Sequence, residues 1–226
     1  MKAIVRLSIG VCATIGVGFS GVAQAEPKIY SSHADFAAAL PARASILDFD
    51  GLSAGATIAD AGTAEGITFR YDFEGLRMKV AHIYATTSAP NFLGTNDGGV
   101  FHDGDDFSLS FLPGHAVGLY FISADPLIDG DLTITAAGVT AALDADDVQK
   151  TLADGSRVYF LGIIDEQTPF EKADVVALAG GFFLYNIDDI ITAPLQLAAG
   201  SNPADAMASL QPKLVAEHIN AETSDR

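Results

Sequence analysis

Two short runs hold the carboxylates best placed to do chemistry. In Leu47-Asp48-Phe49-Asp50, strand alternation puts both aspartates on one face and Leu47 and Phe49 on the other. In Tyr185-Asn186-Ile187-Asp188-Asp189-Ile190, a double aspartate sits inside an apolar run. Carboxylates that converge beside a core repel one another unless a cation neutralises them. Calcium suits such a place, because it takes roughly six to eight oxygens from carboxylates, amides and backbone carbonyls. Asp48, Asp50, Asn186, Asp188 and Asp189 are therefore the candidate ligands of a Ca2+ site. Plainer uses stand beside that one. Asp50 precedes Gly51 and can open a turn, and Asp189 can cap a turn or pair with Arg70 or Arg157.

Other constellations are weaker. The loop from Asn96 to Asp106 is dense in oxygen ligands, but it lacks both the D-x-D-x-D-G order and the closing glutamate of an EF-hand. It reads as a polar connection with two Asp-Gly turns. The five histidines, at 33, 82, 102, 115 and 218, form neither H-x-H nor HExxH. His102 beside Asp103 is a possible ligand pair, and His82 falls in an apolar stretch where packing is the simpler use. Ser123 precedes Asp125-Pro126 with nothing to activate it, and Asp165, Glu166 and Glu171 flank a loop. No catalytic set emerges, and the chain reads as a binding protein and not as an enzyme. Tyr71, Phe73, Tyr84 and Tyr159 could offer a sugar-stacking platform, although rings alternating along strands usually belong to a core and tryptophan is absent.

The elements that must position these residues follow from texture. Lys2 and Arg6, an apolar stretch from Ile9 to about Val22, and Ala23-Gln24-Ala25 make the three-part layout of a cleavable signal peptide over residues 1–25. The apolar stretch is short for a membrane span, and no other span is expected in the mature chain. The single cysteine, Cys12, leaves with that segment, so the mature domain is expected to fold without disulfides. Secretion or a periplasmic location follows. With 12 basic against 29 acidic residues and a net charge of −17, the surface repels phosphate backbones, and nucleic acid is excluded as a partner.

Residues 28–40 carry helical spacing, with Ser32 as cap and Phe36 and Leu40 on one face. From Ser45 the chain breaks into short apolar runs. The spacing predicts strands over 45–50, 66–71, 76–83, 106–111, 115–122, 130–136, 147–152, 157–164, 173–179 and 182–191. Asp-Gly pairs at 50–51, 97–98, 103–104, 129–130 and 154–155 mark reversals, and the last should close a hairpin. Many short strands without intervening helices predict an all-β, antiparallel β-sandwich of jelly-roll type over residues 26–193. Past Pro194, residues 194–226 turn small, polar and helix-prone, and read as a flexible or helical tail.

The blocks LDFDGLSAGATI…GITF, NFLG, GDDFSLSFLPGHAVGLYFIS, ADGSRVYFLGIID…PF and YNIDDI together resemble PEP-CTERM-type bacterial exported proteins. Their β-sandwich domains are similar to carbohydrate-binding and MAM-like jelly rolls. The resemblance covers about Ile46 to Ile190. It implies that the strand at Asp48 neighbours the strand at Asp188, where such modules often hold structural calcium. The ending EHINAETSDR departs from the Pro-Glu-Pro motif, membrane helix and basic tail of that group, so release is expected instead of envelope sorting. The combined expectation is an exported, non-enzymatic binding or adhesion module, calcium-stabilised, with a glycan or a cell-surface protein as partner. A structural protein assembling through its tail, and a polysaccharide hydrolase, are the alternatives.

Overall fold

The structure is a computed structural model that describes residues 25–40 and 44–195. The signal-peptide reading and most of the tail reading lie outside these residues. The strands are β1 (Lys28–Tyr30), β2 (Ser45–Leu47), β3 (Thr57–Ile58), β4 (Thr63–Ala64), β5 (Ile67–Tyr71), β6 (Met78–Ala81), β7 (Phe92–Thr95) and β8 (Phe101–His102). They continue as β9 (Phe107–Ser123), β10 (Leu132–Ala136), β11 (Val139–Ala142), β12 (Lys150–Thr151), β13 (Arg157–Ile164), β14 (Phe170–Ala177) and β15 (Leu184–Pro194). One helix, α1 (His33–Ala39), stands among the described residues.

The fold is the expected antiparallel β-sandwich. Its spine is β9, whose first half lies between β5 and β14 and whose second half lies between β13 and β15. One layer therefore runs β11-β10-β14-β9-β5, and the other runs β13-β9-β15 with β2 and β7-β6-β3 beyond. Alternation along β9 sends Phe107, Leu109 and Phe111, then Val117, Leu119 and Phe121, into the main core between the layers. The strand changes layer at Leu112-Pro113-Gly114. Gly114 is opposite both Phe170 of β14 and Pro194 of β15. A Cβ there would sit 2.4 Å from the Ala193 carbonyl oxygen, so only glycine allows the two layers to meet.

Residues 28–30 are a strand, not the start of the helix read from the sequence. Lys28 to Tyr30 pair with Ile164 to Gly162 on the free edge of β13, and that ladder outweighs the helical spacing. Downstream, Ser32 caps α1 by accepting from Asp35 N at 3.3 Å. The helix buries Phe36 on the outer face of the second layer, in a hollow left by Gly118 and Gly162. A Cβ on Gly162 would come within 2.6 Å of the Phe36 ring. Phe36, Phe160, Ala116, Ile164, Ile191 and Ala193 form a second, smaller core there.

The Asp154-Gly155 hairpin forms as read. Leu152 N donates to Ser156 O, and Lys150 and Thr151 face Val158 and Arg157. The runs 106–111 and 115–122 are one continuous strand, and His82 lies beyond the end of β6, exposed and not packed.

Candidate functional site

The two carboxylate runs do meet. β2 pairs with β15 through Leu47 opposite Ile190. Just upstream, Ile187 is opposite Leu93 of β7. β15 thus changes neighbour between Ile187 and Ile190, and its register with β9 slips in the same place. Asp189 takes a φ of 49° at this bulge. The bulge turns Asp188 inward, where it is fully buried.

Its carboxylate is met by the segment Thr86-Thr87-Ser88. Oδ2 accepts from Thr87 Oγ1 at 2.7 Å, Ser88 N at 2.9 Å, Ser88 Oγ at 3.0 Å and Thr87 N at 3.1 Å, and also from Thr86 Oγ1. Oδ1 takes Asp189 N at 2.9 Å and Ser88 Oγ at 3.2 Å. Burial pushes the Asp188 carboxyl up to about 6 and the Asp189 charge adds to it, while the Thr86, Ser88 and Thr87 donors pull the other way. Tyr120, opposite Asp188 on β9, is raised to about 12 by burial first and then by the charges of Asp189 and Asp188.

Asp48 and Asp50 hold backbone amides near the Asp50-Gly51 turn. Asp48 accepts from Asp50 N at 3.0 Å, and Asp50 accepts from Asn91 N at 2.8 Å. Asn91 donates in turn to the carbonyls of Phe49 and Leu52. Asn186 is buried with its Oδ1 unpartnered. Among the described residues no three His, Cys, Asp or Glu side chains converge as a metal would need. The oxygens of Asp188 instead face N–H and O–H donors.

The same contacts do something else. Ala85 N donates to Asp154 Oδ2 at 3.1 Å, so the segment from Ala85 to Asn91 is held by three carboxylates, those of Asp154 and Asp50 from turns and that of Asp188 from the β15 bulge. Burial pushes the Asp154 carboxyl up, but the amides of Ser156 and Ala85 outweigh it and hold it below its ordinary value. Sequence reasoning missed Thr86, Thr87 and Ser88. Their signal was a run of hydroxyl side chains with no strand or helix to occupy them.

Immediately before the pinned segment stand Ile83 and Tyr84, 59% and 47% exposed. Of the four rings considered for sugar stacking, Tyr159 and Phe73 are buried in the core. Tyr71 is half-buried, its hydroxyl donating to Ile58 O and accepting from Met78 N. Tyr84 is the displayed one, backed by Phe92 with ring centroids 6.1 Å apart and planes inclined by 26°. The preceding residue, Ile83, lines a concavity of about 270 Å³ together with Lys79, His82, Asn96, Gly98 and Gly99. Gly99, at φ 79°, keeps that floor low, since a Cβ would strike Ile83 at 3.2 Å.

The acidic run from Asn96 to Asp106 makes turns on either side of β8, a short strand paired with β15 where the sequence predicts only a polar connection. His102 N donates to Asp105, Asp106 accepts from Ala177 N, and Asp103 accepts from Gly180 N. Two of the other acids weighed for chemistry, Asp165 and Glu166, are likewise occupied. Asp165 accepts from Gln167 N and Thr168 N, and Glu166 pairs with Lys28 at 2.7 Å. Ser123 Oγ donates to Leu184 O. No described helix is long and apolar enough to cross a membrane.

No family model matches this chain, and no curated protein matches it. Among solved structures, 61% of the chain is similar to a two-domain esterase active on acetylated mannans, co-crystallized with mannopentaose, at 15% identity and a TM-score of 0.32. The match spans 39% of that protein's length. A likeness that slight carries no argument about activity, so the functional reading rests on the residues of this chain.

Proposed function

We propose that this domain is an exported, non-enzymatic binding or adhesion module that takes neutral glycans at Tyr84 and the adjoining concavity. One observation carries the reading: an exposed ring, backed by Phe92, stands immediately before a segment that three carboxylates hold in place. A sugar presents an apolar C–H face to an aromatic ring and hydroxyls at its rim. Tyr84 supplies the ring, and Lys79, His82 and Asn96 supply polar groups for the hydroxyls. A platform fixed before binding loses little entropy when the ligand arrives. A net charge of −17 disfavours acidic polysaccharides, which directs the reading to neutral ones.

Calorimetric titration with soluble glucan, mannan and chitin oligosaccharides tests this. At least one should bind, and Tyr84→Ala should weaken it by about tenfold with no change in melting temperature. Absence of binding across the panel, or equal affinity in the variant, would sink the proposal.

A further inference from the structure

A second surface is built around Asp131, the residue before β10. Asp131 is 3% exposed. Its backbone oxygen accepts from Leu178 N at 2.7 Å, and its Oδ2 accepts from Ile128 N at 2.7 Å. Its Oδ1 has no hydrogen-bond partner and lies beneath the next turn, 3.6 Å from where a Cβ on Gly181 would be. Asp131 thus holds the Ile128 loop through its carboxylate and the turn between β14 and β15 through its backbone carbonyl.

The side chains carried by these segments point outward. Ile128 is 64% exposed, Leu178 55% and Phe182 80%. Phe182 is held at a φ of 46°, a conformation unfavourable for an aromatic residue. The tip is fixed on both sides of it: Asp103 Oδ2 accepts from Gly180 N at 2.7 Å, and Asp125 Oδ2 accepts from Leu184 N at 2.8 Å. Three large apolar side chains on fixed turns are what a protein contact displays.

The surroundings say what covers them. Asp103, Asp125 and Asp129 rim the tip, and no lysine or arginine occurs from Val80 to Gln149 or from Ala173 to Leu195. The segments that build this surface therefore carry no permanent positive charge. Anionic lipid and nucleic acid are repelled, and so is the same surface on a second copy. We propose that Ile128, Leu178 and Phe182 form a docking surface for a basic polypeptide segment that places one apolar side chain between lysines or arginines. The apolar centre supplies affinity and the aspartate rim supplies partner choice and encounter rate.

The test uses the full chain and two labelled peptides of about twelve residues. Both consist of lysine and serine; one has a central phenylalanine and the other has serine there. Fluorescence anisotropy should show the phenylalanine peptide binding about tenfold tighter, the increment expected for one well-seated apolar anchor. Phe182→Ser, and separately Leu178→Ser, should remove that difference while the melting temperature stays in place. Tyr84→Ala should leave it intact, which separates this surface from the proposed glycan site. Equal binding of the two peptides, a difference that survives in Phe182→Ser, or no binding at all overturns the proposal. So does phosphatidylserine-vesicle binding, or a sedimentation dimer, that Phe182→Ser abolishes.

Discussion

Replacing Asp188 by asparagine should change how stability depends on pH, and the direction is fixed by the structure. The carboxyl is raised from its ordinary 3.8 to about 6, by burial first and the Asp189 charge second. Between those values the folded chain keeps a proton that the unfolded chain has released. Stability therefore falls as pH rises through this window, being fully present below about 4 and lost once the pH passes about 6. The shift corresponds to about 3 kcal/mol. Asp188 is fully buried, so solvent screening does not reduce that figure. Asparagine keeps an oxygen for Thr86, Thr87 and Ser88 but turns an amide toward Asp189 N, which orphans that donor at a cost of about 1–3 kcal/mol.

The wild type should thus be the more stable protein at pH 4, and the variant should match or overtake it at pH 7. Urea denaturation of both chains at half-unit steps from pH 4 to 7 measures this, with the difference between the two curves as the readout. Other carboxylates cancel in that difference. Two curves that run parallel across the window would show that Asp188 does not titrate there, and the electrostatic account of the bulge would be wrong.

Phe36→Ala should cost about 3–5 kcal/mol by emptying the hollow over Gly118 and Gly162, read as a lower urea midpoint. Gly162→Ala should cost about 1–3 kcal/mol from the opposite cause, and adding Phe36→Leu to it should recover part of the loss. Calcium and chelator should leave the melting temperature unchanged, because the Asp188 oxygens already face donors. A calcium-dependent rise of the size expected for saturating ligand, about 2.7 kcal/mol at a hundredfold excess over Kd, that Asp188→Asn abolishes would restore the metal site read from the sequence.

The sequence disclosed the layers better than the site. β13 could be read end to end because an Asp-Gly turn precedes it and apolar residues fill it. β9 looked like two strands because Pro113-Gly114 reads as a stop, whereas here it is a corner inside one ladder. β3, β4 and β8 have two residues each, too few for any period to show. The approach of Asp48 to Asp188 was anticipated through resemblance. What fills the space around Asp188 was not, since Ser88 is 100 residues away in the chain and no local rule links them. The ring at Tyr84 was one of four equal candidates until burial separated them.

A single ribbon shared by both sheets has a mechanical meaning. Residues 107–123 hydrogen-bond to partners in each layer, so peeling either sheet away strips pairing from the other. A protease that gains access to this backbone gains it only when the whole body has opened. Digestion should therefore leave full-length body and small peptides side by side, with no surviving half-molecule between them.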